Sequence, residues 1–168
     1  MVVSIITFSC DVPAKQEAEM ERAPGFLRAG GEQINASDAS PENLDIWDKY
    51  IDAHNNRDLE LIASMNIDST QMGKFRILAP NGQVIRGSDT QIEFLKGWFE
   101  AENPTWRTYF SYSMKLEGQN GEWVISGAEV KKTVDGKEVT TYDVADVYIE
   151  NGKIGAFWVY QRAAVPTE

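Results

Sequence analysis

The stretch Glu138 to Arg162, EVTTYDVADVYIENGKIGAFWVYQR, most constrains what this chain can fold into. Two runs rich in β-branched and aromatic residues flank Asn151-Gly152. An Asn-Gly pair between such runs predicts a tight hairpin, because both central turn residues need positive φ. A two-residue turn sets a register of Glu150 opposite Lys153, Tyr148 opposite Gly155, Asp146 opposite Phe157 and Val144 opposite Val159. Side chains alternate between the faces of a strand. Asp146 is then expected to share a face with Val144, Tyr148, Phe157 and Val159. A carboxylate among such neighbours must be paired, hydrogen-bonded or protonated, so Asp146 is the first candidate for chemistry.

The length of 168 residues suits one domain plus a tail, and an apolar fraction of 42% is ample for a core. The net charge of −10 and the lack of any basic run argue against a nucleic-acid partner, which needs a basic face to displace counterions from phosphates. One cysteine, Cys10, excludes an intrachain disulfide. With a single histidine, His54, it also excludes a structural zinc site. No phosphate-binding or dinucleotide-binding glycine motif and no nucleophile elbow occurs, so no cofactor is expected.

The first residues, MVVSIITF, are apolar and are followed by Ser9-Cys10. From Asp11 to Ala39 the chain turns polar and acidic, with Pro13, Pro24, Gly25, Gly30 and Gly31, and reads as a flexible tether. Residues 1–39 are therefore set apart from a folded domain over 40–168. Two readings of the start stand side by side. An apolar run, a small residue, a cysteine and a polar linker resemble a bacterial lipoprotein processing site, with Cys10 lipidated and the domain tethered to an envelope membrane. Alternatively, the run is a short strand with a buried cysteine in a cytoplasmic protein.

Ser40, Pro41 and Glu42 carry helix-start signals. Leu44, Trp47, Tyr50, Ile51 and His54 then recur at helical spacing on one apolar face. Asp58 caps a second, shorter helix with Leu59, Leu61, Ile62 and Met65 inward. Asn81-Gly82 turns a hairpin between Phe75–Leu78 and Gln83–Arg86. Ser88 with Gln91 fits a capping box for a third helix that buries Ile92, Leu95, Trp98 and Phe99 and stops before Pro104. Thr105 to Glu117 alternates as a strand, with Trp106, Thr108, Phe110, Tyr112, Met114 and Leu116 on one face. Turns at Asn120-Gly121 and Asp135-Gly136 predict an antiparallel meander. Three helices on one face of a curved antiparallel sheet make an α+β domain. Register through Asp135-Gly136 predicts Lys132 opposite Val139, Glu129 opposite Tyr142 and Ile125 opposite Asp146, with a bulge allowed at Gly127.

Two segments, WDKYIDAHNNRDLELIASMNIDS and YDVADVYIENGKIGAFWVY, make the chain similar to the nuclear transport factor 2-like superfamily, which holds ketosteroid isomerases and SnoaL-type polyketide cyclases. The resemblance spans Leu44 to Arg162 and implies a cone-shaped sheet, a cystatin-like roll. It does not by itself imply one activity, because this fold hosts many. Carried over, Tyr50 falls on the isomerase tyrosine that donates to a substrate oxyanion. Asp146 falls on its partner, a carboxylic acid kept neutral by an apolar site. Lys74, between Gly73 and Phe75, occupies the place of the general-base aspartate, and Asp68 is the nearest acid.

The expected function is therefore a pocket for a small hydrophobic molecule, lined by Trp47, Trp98, Tyr142 and Phe157. The alternative is a cofactor-free isomerase, cyclase or dehydratase acting on a hydrophobic carbonyl compound. In that case Tyr50 and Asp146 polarise an oxygen, and His54 or Glu129 moves the proton. Each has an ordinary structural reading too. Tyr50 is a core residue with a satisfied hydroxyl, His54 a cap on its own helix, and Glu129 a cross-strand partner of Lys131 or Lys132. The sheet's outer face, expected to carry Ala145, Val147, Ala156 and Trp158, is predicted to pair with a second copy as a homodimer.

Overall fold

A computed structural model describes residues 23–164. The elements run β1 (Gly25–Ala29), β2 (Glu32–Asp38), α1 (Glu42–Asn55), α2 (Leu59–Met65), β3 (Ser69–Thr70), β4 (Gly73–Lys74), β5 (Arg76–Leu78) and β6 (Val84–Arg86). Then come α3 (Ser88–Glu102), β7 (Thr105–Leu116), β8 (Glu122–Val134), β9 (Lys137–Glu150) and β10 (Lys153–Ala163). Eight strands form one sheet in the order β1-β2-β7-β8-β9-β10-β5-β6. All its pairings are antiparallel except that of β10 with β5. The expected α+β class holds, with three helices against a large curved sheet.

The helices form where apolar periodicity placed them. In α1, Trp47, Tyr50, Ile51 and His54 are buried. The Asp58 carboxylate caps α2 by accepting from the Leu61 N–H at 2.9 Å. All three helices pack on the inner face of the sheet, where Trp47, Tyr50, Ile62, Leu95, Val124, Val147 and Phe157 belong to one core.

Four expectations are corrected. First, residues 25–38 are not a tether. Gly30 and Gly31, at φ +60° and +86°, turn a hairpin whose second strand pairs Ala36 with Leu116 and Asp38 with Met114. Cys10 and the apolar run before it lie outside the described residues. Second, Ser88 and Gln91 do not close a capping box: α3 starts with no side-chain cap, and both side chains are drawn into a buried network. Third, β7 shifts register between Thr108 and Phe110, opposite Gly127. The Phe110 ring stands where a Gly127 side chain would stand. Trp106 and Thr108 therefore face inward, whereas Phe110, Tyr112 and Met114 face outward. Pairing of β8 with β9 runs unbroken, with Ile125 opposite Asp146 and Glu129 opposite Tyr142.

The fourth correction matters most. The Asn151-Gly152 turn forms, with φ +54° and +72°, and Glu150 pairs with Lys153. The register then slips between Ile154 and Ala156, leaving Gly155 as the extra residue. A Cβ on Gly155 would sit 2.5 Å from Thr70 Cγ2 and 3.2 Å from Tyr148 Cδ1, so the close approach of Thr70 requires glycine here. Beyond the bulge Trp158, not Phe157, pairs with Asp146. A one-residue slip exchanges the two faces of a strand. Phe157, Val159 and Gln161 turn inward beside Val147, Ala145 and Asp143. Asp146 faces outward with Tyr148, Trp158 and Tyr160. Ala145 and Val147, expected on the outer face, belong to the core.

Candidate active site

Between the helices and the inner face lies a cavity of about 470 Å³. Its walls include Trp47, Ile51, Ile85, Leu95, Trp106 and Phe157, and its polar groups include His54, Ser126, Asp143 and Gln161. The apolar stripe of α1 positions Trp47, Ile51 and His54, and the inward alternation of β8, β9 and β10 positions Ser126, Asp143, Phe157 and Gln161.

The Tyr50 hydroxyl is fully engaged. It donates to Asn66 Oδ1 at 3.0 Å and accepts from Gln91 Nε2 at 2.7 Å. Asn66 Nδ2 closes the ring by donating to Gln91 Oε1 at 2.8 Å, and it also donates to Ser88 Oγ at 2.8 Å. Tyr50 has no solvent exposure, and burial raises its phenol pKa. Its single proton is spent on Asn66, so it is placed as a scaffold, with its ring in the cavity wall.

His54 is buried among the rings of Tyr50, Trp106 and Phe99, at 4.6, 5.6 and 6.3 Å. Its Nδ1 lies 2.8 Å from the Tyr50 carbonyl oxygen. A carbonyl only accepts, so Nδ1 carries the proton and Nε2 is left as an acceptor. Burial pulls its pKa down to about 4, against the opposing pull of that hydrogen bond. The helix end is served instead by Arg57, which donates to the His54 carbonyl at 2.7 Å.

Asp143 is the acid that the inner face presents. Gln161 Nε2 donates to its Oδ1 at 2.8 Å and Thr141 Oγ1 at 3.4 Å. Among the described residues its Oδ2 has no partner. Burial raises its pKa above the ordinary carboxylate value, and the hydrogen bonds from Gln161 and Thr141 offset part of this. At the rim, Lys132 Nζ meets Glu102 Oε2 at 2.7 Å, and Trp98 Nε1 donates to the same oxygen at 2.8 Å. The Lys132 hydrogen bond is the main cause of the lowered Glu102 pKa. The cavity thus carries one neutral base, one acid pushed toward its neutral form, and one ion pair closed on itself. An acid and an acceptor nitrogen in one apolar cup are the groups a proton transfer would use.

The remaining expected site residues lie elsewhere. Asp146 is on the outer face and cannot converge with Tyr50 across the sheet. Its pKa is raised by burial, as anticipated, and the exposed Tyr160 offsets part of this. Glu129, also outward, is held by Arg107 at 3.2 Å, which lowers its pKa. Tyr142 faces outward beneath the Arg162 guanidinium, 4.4 Å from its ring centre. Trp47, Trp98 and Phe157 do line the cavity. Lys74 is exposed in β4 and outside the cavity wall. Among the described residues no group of three or more histidine, cysteine or acidic side chains could hold a metal ion.

No site role was foreseen for Asp143, Gln161 or the Glu102–Lys132 pair. The sequence does hold one signal for Asp143: it has the same strand parity as Ala145, Val147 and Ile149, a run suited to a helix-covered face.

No protein-family model matches the chain, nor does any curated protein sequence. Solved structures do match. One is a ketosteroid isomerase candidate from Kribbella flavida, at TM-score 0.58 and 12% identity, covering 78% of this chain and 85% of that one. Another is an epoxide hydrolase of the LEH-like type from M. tuberculosis, at 0.58 and 12%, covering 72% and 83%. A third, from Burkholderia pseudomallei, has no known function, matches at 0.55 and 18%, and covers 73% of this chain and 92% of its own.

Proposed function

Starting from a chain with the nuclear transport factor 2-like fold, we propose that its cavity binds a small, uncharged, largely apolar molecule through an oxygen atom held by Asp143. One observation carries the reading. A carboxyl group raised in pKa by burial sits in a cup walled by aromatic rings, with one oxygen that has no partner among the described residues. A volume of 470 Å³ falls within the range usual for small-molecule sites. Charge argues against an anionic occupant. His54 is neutral and Lys132 is held by Glu102, so an anionic ligand would find no free positive charge among the described wall residues. A protonated Asp143 would donate through Oδ2 to a carbonyl, ether or hydroxyl oxygen. The test is a fluorescence titration with naphthol, an uncharged aromatic alcohol. Saturable binding at one site per chain is expected, and the absence of saturable binding would refute the reading.

A second copy of the chain belongs to the same proposal. The outer face exposes Tyr109, Phe110, Tyr112 and Tyr160, each at 40% or more. Aromatic surface of that kind is costly to leave in water. Light scattering during size-exclusion chromatography should return twice the chain mass, and a single chain mass at high concentration removes the dimer.

A further inference from the structure

His54 is 6% exposed and forms part of the cavity wall. Rings cover its imidazole: Tyr50 from within α1, Phe99 from α3 and Trp106 from β7. With Nδ1 donating to the Tyr50 carbonyl, Nε2 holds a bare lone pair. Among the described residues Nε2 has no hydrogen-bond partner, yet it is not sealed. The one side-chain nitrogen or oxygen there that is both unpartnered and closed to water is the Trp47 indole nitrogen. His54 Nε2 is therefore open to a water-sized molecule, and on a ring so covered the cavity is the open side.

Neighbouring donors are committed elsewhere. Gln91 Nε2 gives to the Tyr50 hydroxyl at 2.7 Å, Asn55 Nδ2 to the Trp106 carbonyl at 2.9 Å and Trp98 Nε1 to Glu102 at 2.8 Å. Arg57 gives to the carbonyls of His54 and Pro104, and Gln161 Nε2 to Asp143 and Thr141. Burial, which holds the His54 pKa at about 4, keeps the ring an acceptor at neutral pH. While water reaches Nε2, that acceptor is served. A ligand that fills the cavity displaces the water, and an acceptor then left unpaired costs about 1–3 kcal/mol. The missing donor is best supplied by the ligand itself.

We propose that His54 Nε2 is a ligand-binding acceptor that selects molecules carrying a hydroxyl in addition to the oxygen held by Asp143. The inference rests on the reading of the cavity as a small-molecule site and sharpens it. The ligand has an apolar body and two polar points, an acceptor oxygen for the acid and an O–H for the imidazole. An ether of the same skeleton keeps the first contact and leaves Nε2 unpaired.

The test uses naphthalenediols with their hydroxyls on separate rings, and the dimethyl ethers of the same diols, on the full chain. The ethers keep both acceptor oxygens and lose both donors. Wild type should bind the tightest diol about fivefold more tightly than its ether. His54→Phe should erase that preference. The chain has a single histidine, so its imidazole nitrogen NMR signals are identified without ambiguity. In wild-type protein the Nε2 signal should move upfield with the diol and not with the ether. This second readout does not require the variant to fold. An Nε2 signal indifferent to every diol, a preference that survives in His54→Phe, or equal wild-type affinity for diol and ether overturns the assignment. The cavity reading then stands as long as naphthol binds. If neither the diols nor naphthol bind wild type, the cavity reading falls and takes this inference with it.

Discussion

Tyr50→Phe should destabilise the protein by about 2–4 kcal/mol, a large part of the 5–15 kcal/mol typical of a domain's whole stability. The substitution removes one oxygen and keeps the ring. Asn66 Oδ1 then loses its donor and Gln91 Nε2 its acceptor, since Tyr50 Oη is the partner of both. All three residues are at least nine-tenths buried, so water cannot replace the lost partner without opening the core. Each orphaned group costs about 1–3 kcal/mol. The network also ties three elements together: α1 through Tyr50, the end of α2 through Asn66, and α3 through Gln91 and Ser88. Urea unfolding followed by circular dichroism measures the loss. A catalytic tyrosine would behave differently, because its phenol would be free to meet a substrate and its removal would cost little stability. A loss below about 0.5 kcal/mol would refute the scaffold role.

Stability should also fall on mild acidification, through His54. Its folded pKa is about 4, below an unfolded value of 6.5, because burial disfavours the imidazolium. A group whose folded pKa is depressed contributes stability that is complete above the unfolded pKa. That contribution is lost as pH falls toward the folded pKa. From pH 7 to pH 4 the loss from this one group should approach about 3 kcal/mol. Asp143 works in the opposite sense. Its folded pKa is raised, so its contribution is present below the unfolded carboxylate pKa and is lost as pH rises through the folded value. Comparing wild type with His54→Asn isolates the histidine. The stability difference between pH 7 and pH 4.5 should be clearly smaller in the variant. Equal pH dependence in the two proteins would contradict a buried neutral His54.

How the sequence conveyed this structure differs by element. The helices were legible because their apolar positions recur at 3.6 residues, and Asp58 caps α2 as its position suggested. The Asn151-Gly152 turn and the register across Asp135-Gly136 were legible from turn chemistry alone. Features that depend on contacts between distant segments were not. Gly155 is extra in β10 because Thr70, from another part of the chain, presses against it. Phe110 shifts register in β7 because Gly127 leaves room for its ring. Ser88 and Gln91 abandon a local cap for partners on α1 and at the end of α2. Residues 25–38 looked like a linker because their glycines were read as flexibility, when Gly30-Gly31 serve as a hairpin turn.

The site followed the same division. His54, Trp47 and Trp98 were legible because helix periodicity fixes which way they face. The acid was not, because a single bulge decides which face Phe157 and Val159 share with the neighbouring strand. Asp143 and Asp146 are three residues apart and point to opposite sides. Choosing between them from sequence meant knowing about Thr70.

The measurement that bears most directly on the account is naphthol binding by wild type, Asp143→Leu, Asp143→Asn and Asp146→Leu. If the inner-face acid is the ligand's partner, Asp143→Leu should lose at least about tenfold in affinity. Asp143→Asn, which still carries a donor, should recover part of that loss, and Asp146→Leu should match wild type. Affinity that survives Asp143→Leu and collapses in Asp146→Leu would contradict the account, because it would place the binding acid on the outer face of the sheet.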